Sequence, residues 1–206
     1  MQNSTNIWDK PVSHGEILKI IWKNLDLGML DRDHPFHTPV FGTVCDNKPD
    51  LRVVVLRRFW RKPPRLAFHA HKGSPKINQI CDNPNIYWLF FHRKERIQVR
   101  INGTATIYTE GDLHEEQWLS TELFSRRCYV GKPPSQPSEK QTSGLPENLI
   151  DRKPTFEESE AGKTNFVVIS STIDEIDCLE MNVKGHRRSL FTWNDAGELK
   201  TKWLTP

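Results

Sequence analysis

Long apolar runs are absent from this chain of 206 residues: nothing in it approaches the roughly 20 residues that a membrane-spanning helix needs. Cysteine is scarce. The four thiols, at 45, 81, 128 and 178, stand far apart and form no Cys-x-x-Cys pair, which argues against a disulfide framework or a zinc ribbon. Free, mostly buried thiols in a reducing compartment are expected instead. The opening Met-Gln-Asn-Ser-Thr-Asn has neither the basic start nor the apolar stretch of a secretory signal, so the expectation is a soluble, cytoplasmic protein. A dominant charge is missing too. Lysine and arginine number 29 against 26 acidic residues, a net +3 that is too mild to argue nucleic-acid binding yet compatible with a small phosphorylated ligand. There is no internal repeat, no low-complexity tract and no serine nucleophile elbow.

What is present describes a globular chain. Hydrophobic residues make up 36% and aromatic residues 10%, with seven tryptophans, which is enough for a real core in one domain spanning 1–206. Residues 1–12 read as an N-terminal strap with Trp8 as its anchor. Ser13-His-Gly-Glu16 is a capping-box pattern, and the apolar spacing after it predicts a helix over 14–27 that stops near Gly28. Strands are expected at 40–45, 51–60, 65–71, 86–91 and 97–107. The aromatic run Ile86 to Phe91 reads as a fully buried strand, and Gly103 reads as a bulge in the alternating 97–107 strand. A single helix is expected over 110–127. Residues 131–163 form a long insertion whose Pro/Ser/Gln-rich part, 132–146, reads as an exposed loop, mobile or functional. Four further strands, at 165–171, 175–179, 188–193 and 199–203, complete a mainly β fold with helical additions, closed into a barrel so that no edge is left bare.

The chemistry concentrates between residues 52 and 76. A β-branched strand with arginine at its ends, Arg52 to Arg57, returns through Phe68-His69-Ala70 to Gly73-Ser74-Pro75-Lys76. Serine followed by proline is a favoured helix start, and a helix start offers unpaired N–H groups and a partial positive charge. With Lys76 one turn in and Arg52 on the adjoining strand, the pattern describes a seat for a phosphate. Taken alone, Ser-Pro-Lys is also an ordinary surface helix start. Other constellations carry less: His34 with His37, and His69 with His71, lack further ligands at metal-binding spacing. Cys128 stands beside Arg126 and Arg127, a setting that lowers a thiol pKa, although a buried structural thiol reads as well.

The ordered set Arg52-Val-Val-Val-Leu-Arg57, Phe68-His69-Ala70, Gly73-Ser74-Pro75-Lys76, Gln98 to Gly103, Asn165 to Ile169, Glu175-Ile-Asp177 and Gly185-His186-Arg187-Arg188 resembles the flavin-binding split-barrel family of pyridoxamine 5′-phosphate oxidase. The resemblance implies a homodimer of six-stranded antiparallel split barrels with FMN in each of two clefts between subunits and a small-molecule substrate. Carried over position by position, it implies phosphate contacts from Arg52, Ser74 and Lys76. Val53, Val54, Val55 and Leu56 would run beside the flavin, with His69, Ala70 and Gln98 near it. Arg57, His186 and Arg188 would face the substrate, and no metal is implied. Pro75 stands where the oxidase has a basic residue, and the oxidase's tyrosine, arginine and serine for the substrate phosphate have no secure match. An FMN-dependent oxidoreductase is the first expectation. A flavin carrier or sensor, and a haem-binding split barrel using His69 or His186, remain alternatives.

Overall fold

The computed structural model describes residues 12–194 and 196–206; the strap anchor Trp8 lies outside them. The capping box forms as read: the Ser13 side chain accepts from the Glu16 N–H, and the Glu16 carboxylate accepts from the Ser13 N–H. The helix it opens, α1 (His14–Leu30), runs past Gly28. That glycine is a packing site, since a Cβ there would press on the Phe36 backbone at 2.8 Å.

Next come β1 (Val40–Cys45) and β2 (Lys48–Val53), antiparallel with Val40 opposite Val53. Asp46 and Asn47 both take positive φ in the turn between them, a conformation these two residue types tolerate. The strand expected over 51–60 is broken. β2 ends at Val53, and β3 (Arg58–Arg61) pairs with β4 (Pro64–His71) instead of β1. Between them Val54 and Leu56 donate N–H groups to Pro39 O and His37 O, and Arg57 donates to Ala67 O. The chain changes partner within four residues, which local apolar pattern cannot report. As a result the sheet is split and open, where a closed barrel was expected.

The other half hangs on one long strand. β6 (Ile97–Tyr108) pairs along its first half with β5 (Asn85–His92) and β8 (Glu175–Glu180), and along its second half with β7 (Phe166–Thr172), which returns to β4. Pairing with β8 ends at Asn102 and pairing with β7 begins at Ala105, so Gly103 sits at the changeover. It is no bulge, because the β5 ladder runs through it opposite Ile86. A side chain there would collide with the Thr172 carbonyl, so only glycine fits. β9 (Arg187–Trp193) and β10 (Leu199–Leu204) extend the sheet beyond β8.

The core fills the inner face: Phe41, Leu56, Phe68, Trp88, Phe90 and Phe191 are buried against Ile17, Ile21 and Leu25 of α1. Trp88 donates its indole N–H to Ser171 Oγ at 2.9 Å, so its polar atom is satisfied. β5 is not buried on both sides. Its residues alternate, and Tyr87, Leu89 and Phe91 stand exposed with Leu51 and Val53 of β2 on the outer face. Three of the four thiols, Cys45, Cys81 and Cys128, are exposed, and only Cys178 is buried. No helix among the described residues is long and apolar enough to cross a membrane.

Two more helices replace the one expected over 110–127: α3 (Asp112–Ser120) and α4 (Leu123–Val130). The break follows from Thr121, whose hydroxyl donates back to Gln117 O at 2.6 Å while Arg126 Nε donates to Thr121 O. The end of the 131–163 insertion holds a short helix, α5 (Phe156–Glu160), and α2 (Pro75–Asp82) begins where Ser74-Pro75 placed it.

Candidate cofactor and active site

Ser74 takes extended N-cap dihedrals and Pro75 the first turn, as the sequence dictates, but the Ser74 hydroxyl makes no capping bond. It is buried in the wall of a cavity of about 580 Å³ shared with Ala70, His71 and Lys76. An uncapped hydroxyl beside Lys76 suits an anion, although of the first-turn N–H groups Pro75 has none and the Ile77 N–H donates to Ser74 O at 3.0 Å. The roof comes from far along the chain. Residues 131–138 and 142–145 line the same cavity, and Pro133 packs against Gly73 so closely that a Cβ on that glycine would lie 2.8 Å from it. The Lys132 N–H donates to Gly144 O at 2.8 Å, closing the neck of this loop.

Lys76 and His69 also line a second cavity of about 260 Å³, together with Arg52, Arg57, Phe68 and Tyr129 and the backbone-flanked valines Val53, Val54 and Val55. Arg52 is held rigidly. Its guanidinium donates to Thr43 Oγ1 at 2.7 Å, Asp50 Oδ2 at 2.6 Å and Gln79 Oε1 at 2.9 Å, and Gln79 in turn donates to Asp50. Burial pulls the Arg52 pKa down, with Asp50 opposing. Burial also lowers the Lys76 pKa, and the Arg52 charge lowers it further, because two cations share one low-dielectric corner. An anion bound there would relieve that repulsion.

His69 lies 3.2 Å from Gln117 Oε1 and packs edge-on against Phe166. Burial, with the Arg57 charge beside it, pushes its pKa down to about 3, so the ring is neutral. Burial raises the Tyr129 phenol pKa against the pull of Arg57, so that hydroxyl is protonated. The Arg57 guanidinium makes no ion pair or hydrogen bond among the described residues, lines the smaller cavity with these two neutral rings, and its charge acts on both.

Of the expected site residues, Arg52, Val53, Val54, Val55, Arg57, His69, Ala70, Ser74 and Lys76 therefore gather around the two joined cavities. Leu56 is fully buried in the core. Gln98 lies on the outer sheet face opposite Phe91 and Leu179 and lines neither cavity. His186 and Arg188 do not line them either. Arg188 grips Asp177 through two bonds, of 3.0 and 2.7 Å, with Arg100 on the same carboxylate, and His186 Nδ1 accepts from the Asn182 N–H. Sequence reasoning missed Tyr129, Gln117 and the loop as a wall. The loop's length was the one available signal, since a long loop in a compact domain is so often functional. Among the described residues no group of three or more His, Cys, Asp or Glu could hold a metal ion.

Residues 19–109 match the family model described as pyridoxamine 5′-phosphate oxidase, FMN-binding domain. The pyridoxine/pyridoxamine 5′-phosphate oxidase of Psychrobacter cryohalolentis is 41% identical over 175 residues, covering 79% of this chain and 75% of that protein. The chain belongs to the pyridoxamine 5′-phosphate oxidase-like, FMN-binding split-barrel family. Two solved structures share the fold. A pyridoxamine 5′-phosphate oxidase-related, FMN-binding protein from Nostoc punctiforme has a TM-score of 0.71 at 21% identity, over 96% of this chain and all (100%) of that one. PhzG from Burkholderia lata has a TM-score of 0.68 at 18% identity, over 97% and 96% of the two chains.

Proposed function

We propose that this chain is an FMN-dependent oxidoreductase acting as a homodimer on a small substrate. The observation that carries the reading is a half-buried cation pair: Lys76, beside the Ser74 helix start at the wall of both cavities, and Arg52, at the wall of the smaller one. These residues fit a phosphate monoester: two cations, a hydroxyl and the positive end of a helix. The adjoining apolar wall of Val53–Val55 and Phe68 suits a flat ring system. FMN, when bound, supplies a hydride- or electron-accepting ring. The chain's own part is to seat that ring, hold its phosphate and place the unpaired Arg57 charge where negative charge gathers on reduction.

Counted as one bent strand through Val54–Arg57, β2 and β3 with β1, β4, β7, β6 and β5 make a six-stranded split barrel within a single domain. A second copy covering Leu51, Val53, Tyr87, Leu89 and Phe91 would bury the outer apolar face. It would also bring a partner surface toward each cavity, the route by which Gln98, His186 and Arg188 would reach a ligand. The oxidase activity named for the Psychrobacter relative, carried here, would act on a CH–NH₂ donor with oxygen. Against pyridoxamine phosphate as substrate, Arg126 is spent on Thr121 O and Glu160, and Arg127 on Leu149 O and Ile150 O. A non-catalytic flavin carrier is the second reading, favoured by the hold of Asp177 on Arg188.

The test is spectroscopic. Purified protein titrated with FMN and with riboflavin should prefer FMN, and Lys76→Met should weaken FMN binding by about tenfold or more while leaving riboflavin unchanged. Equal affinity for the two flavins in the wild type would refute the phosphate seat. Anaerobic bleaching of the flavin by pyridoxamine phosphate or NADPH, reversed by oxygen, would establish turnover; no bleaching by any donor would favour the carrier. A Soret band in place of flavin absorbance would mean haem.

A further inference from the structure

His71, the last residue of β4, is 8% exposed and lines the larger cavity beside Ser74 and Lys76. Its Nδ1 accepts the Gly73 N–H at 2.9 Å, so the lone pair is on that nitrogen and the ring proton is on Nε2. Nε2 is buried and makes no hydrogen bond. The Gly131 carbonyl is near enough to favour a proton on the ring without closing a bond of normal geometry. Other buried side-chain atoms without partners exist among the described residues, but His71 Nε2 is the one of them whose residue lines this cavity. A buried N–H left unmet is costly, and such a donor is usually met by a ligand or an ordered water.

We propose that His71 is a neutral hydrogen-bond donor, through Nε2–H, to the anionic end of the bound flavin, an inference that rests on the FMN reading above. Gly73 fixes the tautomer. The close approach of Pro133 to Gly73 fixes the turn, so the ring has one orientation to offer. Burial and the nearby Lys76 charge both oppose a second ring proton, which keeps the donor uncharged. Lys76 and Arg52 then supply the charge, and His71 supplies direction.

The substitution that isolates this role is His71→Asn. An asparagine oxygen can still accept the N–H two residues on, which keeps the Gly73 turn, but its amide is too short to replace Nε2–H. We would measure dissociation constants for FMN and riboflavin by fluorescence quenching in wild type, His71→Asn and His71→Ala. His71→Asn is expected to weaken FMN binding about tenfold or more, as for one hydrogen bond to a charged group, with riboflavin unchanged. Unchanged FMN affinity in His71→Asn would overturn the proposal and leave His71 as a turn cap. Equal loss for both flavins would overturn it as well. Nitrogen NMR of the imidazole gives a readout independent of flavin: the Nε2–H tautomer is expected, and Nδ1–H would refute the assignment. A wild type that prefers FMN while the variant binds normally sinks only the His71 role. A wild type that binds neither flavin sinks the FMN reading.

Discussion

Lowering the pH from 7 to 5 should destabilise the protein through His69 by an amount that the structure sets. The ring's ordinary pKa of 6.5 falls to about 3 in the folded chain, because burial and the Arg57 charge both penalise the imidazolium. In the unfolded chain the ring is free to protonate. Between those two values the unfolded state binds a proton that the folded state refuses, so stability falls as the pH falls. At pH 7 the unfolded ring is mostly neutral and the penalty is small. At pH 5 it is about 1.5 units below its free pKa, and at about 1.4 kcal/mol per unit the loss is about 2 kcal/mol. The assay is urea unfolding at pH 7 and pH 5 on protein stripped of flavin, comparing wild type with His69→Gln. His34 and His71 are also depressed, but both remain in the variant and cancel in the comparison. The wild type should lose about 2 kcal/mol more than His69→Gln over this range. The same loss in both proteins would show that the ring is not buried and neutral as described.

Two other perturbations follow from the fold. Gly103→Ala drives a methyl group into the Thr172 carbonyl where β6 changes partner, and should cost about 3 kcal/mol or more in thermal or denaturant unfolding; a loss under 1 kcal/mol would mean the strands can separate there. Leu89→Glu puts a charge at the centre of the exposed apolar face without touching the core, so sedimentation should show a dimer for the wild type and a folded monomer for the variant; a variant that stays dimeric would place the subunit contact elsewhere, and a monomeric wild type would refute the proposed dimer.

Local chemistry wrote the parts of this fold that local chemistry controls. Ser13 with Glu16, Ser74 with Pro75, the strict alternation of β6 and the four strands between Phe166 and Leu204 could all be read directly, because caps and alternation act over a few residues. The break at Val54–Arg57 could not. Three valines and a leucine in a row describe a strand interior, and the break exists because the chain passes from β1 to β4, a choice made by residues elsewhere. β5 misled for a different reason: an aromatic run signals burial without saying on whose surface, and half of it faces out. The Ser120-Thr121 break in the helix was missed because a side-chain hydroxyl competing for a carbonyl leaves no trace in apolar spacing. Of the site, the cations and the helix start were visible, while the roof was not, since Pro133 meets Gly73 across sixty residues of chain.

The closed neck at Lys132 and Gly144 makes the roof a detachable part. Both ends are pinned to each other, and Pro133, next to one anchor, also holds the Gly73 turn that follows β4. Doubling such a loop adds only about 0.6 kcal/mol of closure entropy. Transplanting a stretch of other length or composition between Pro133 and Gly144 would thus re-tailor what the chamber admits while leaving the scaffold beneath it folded.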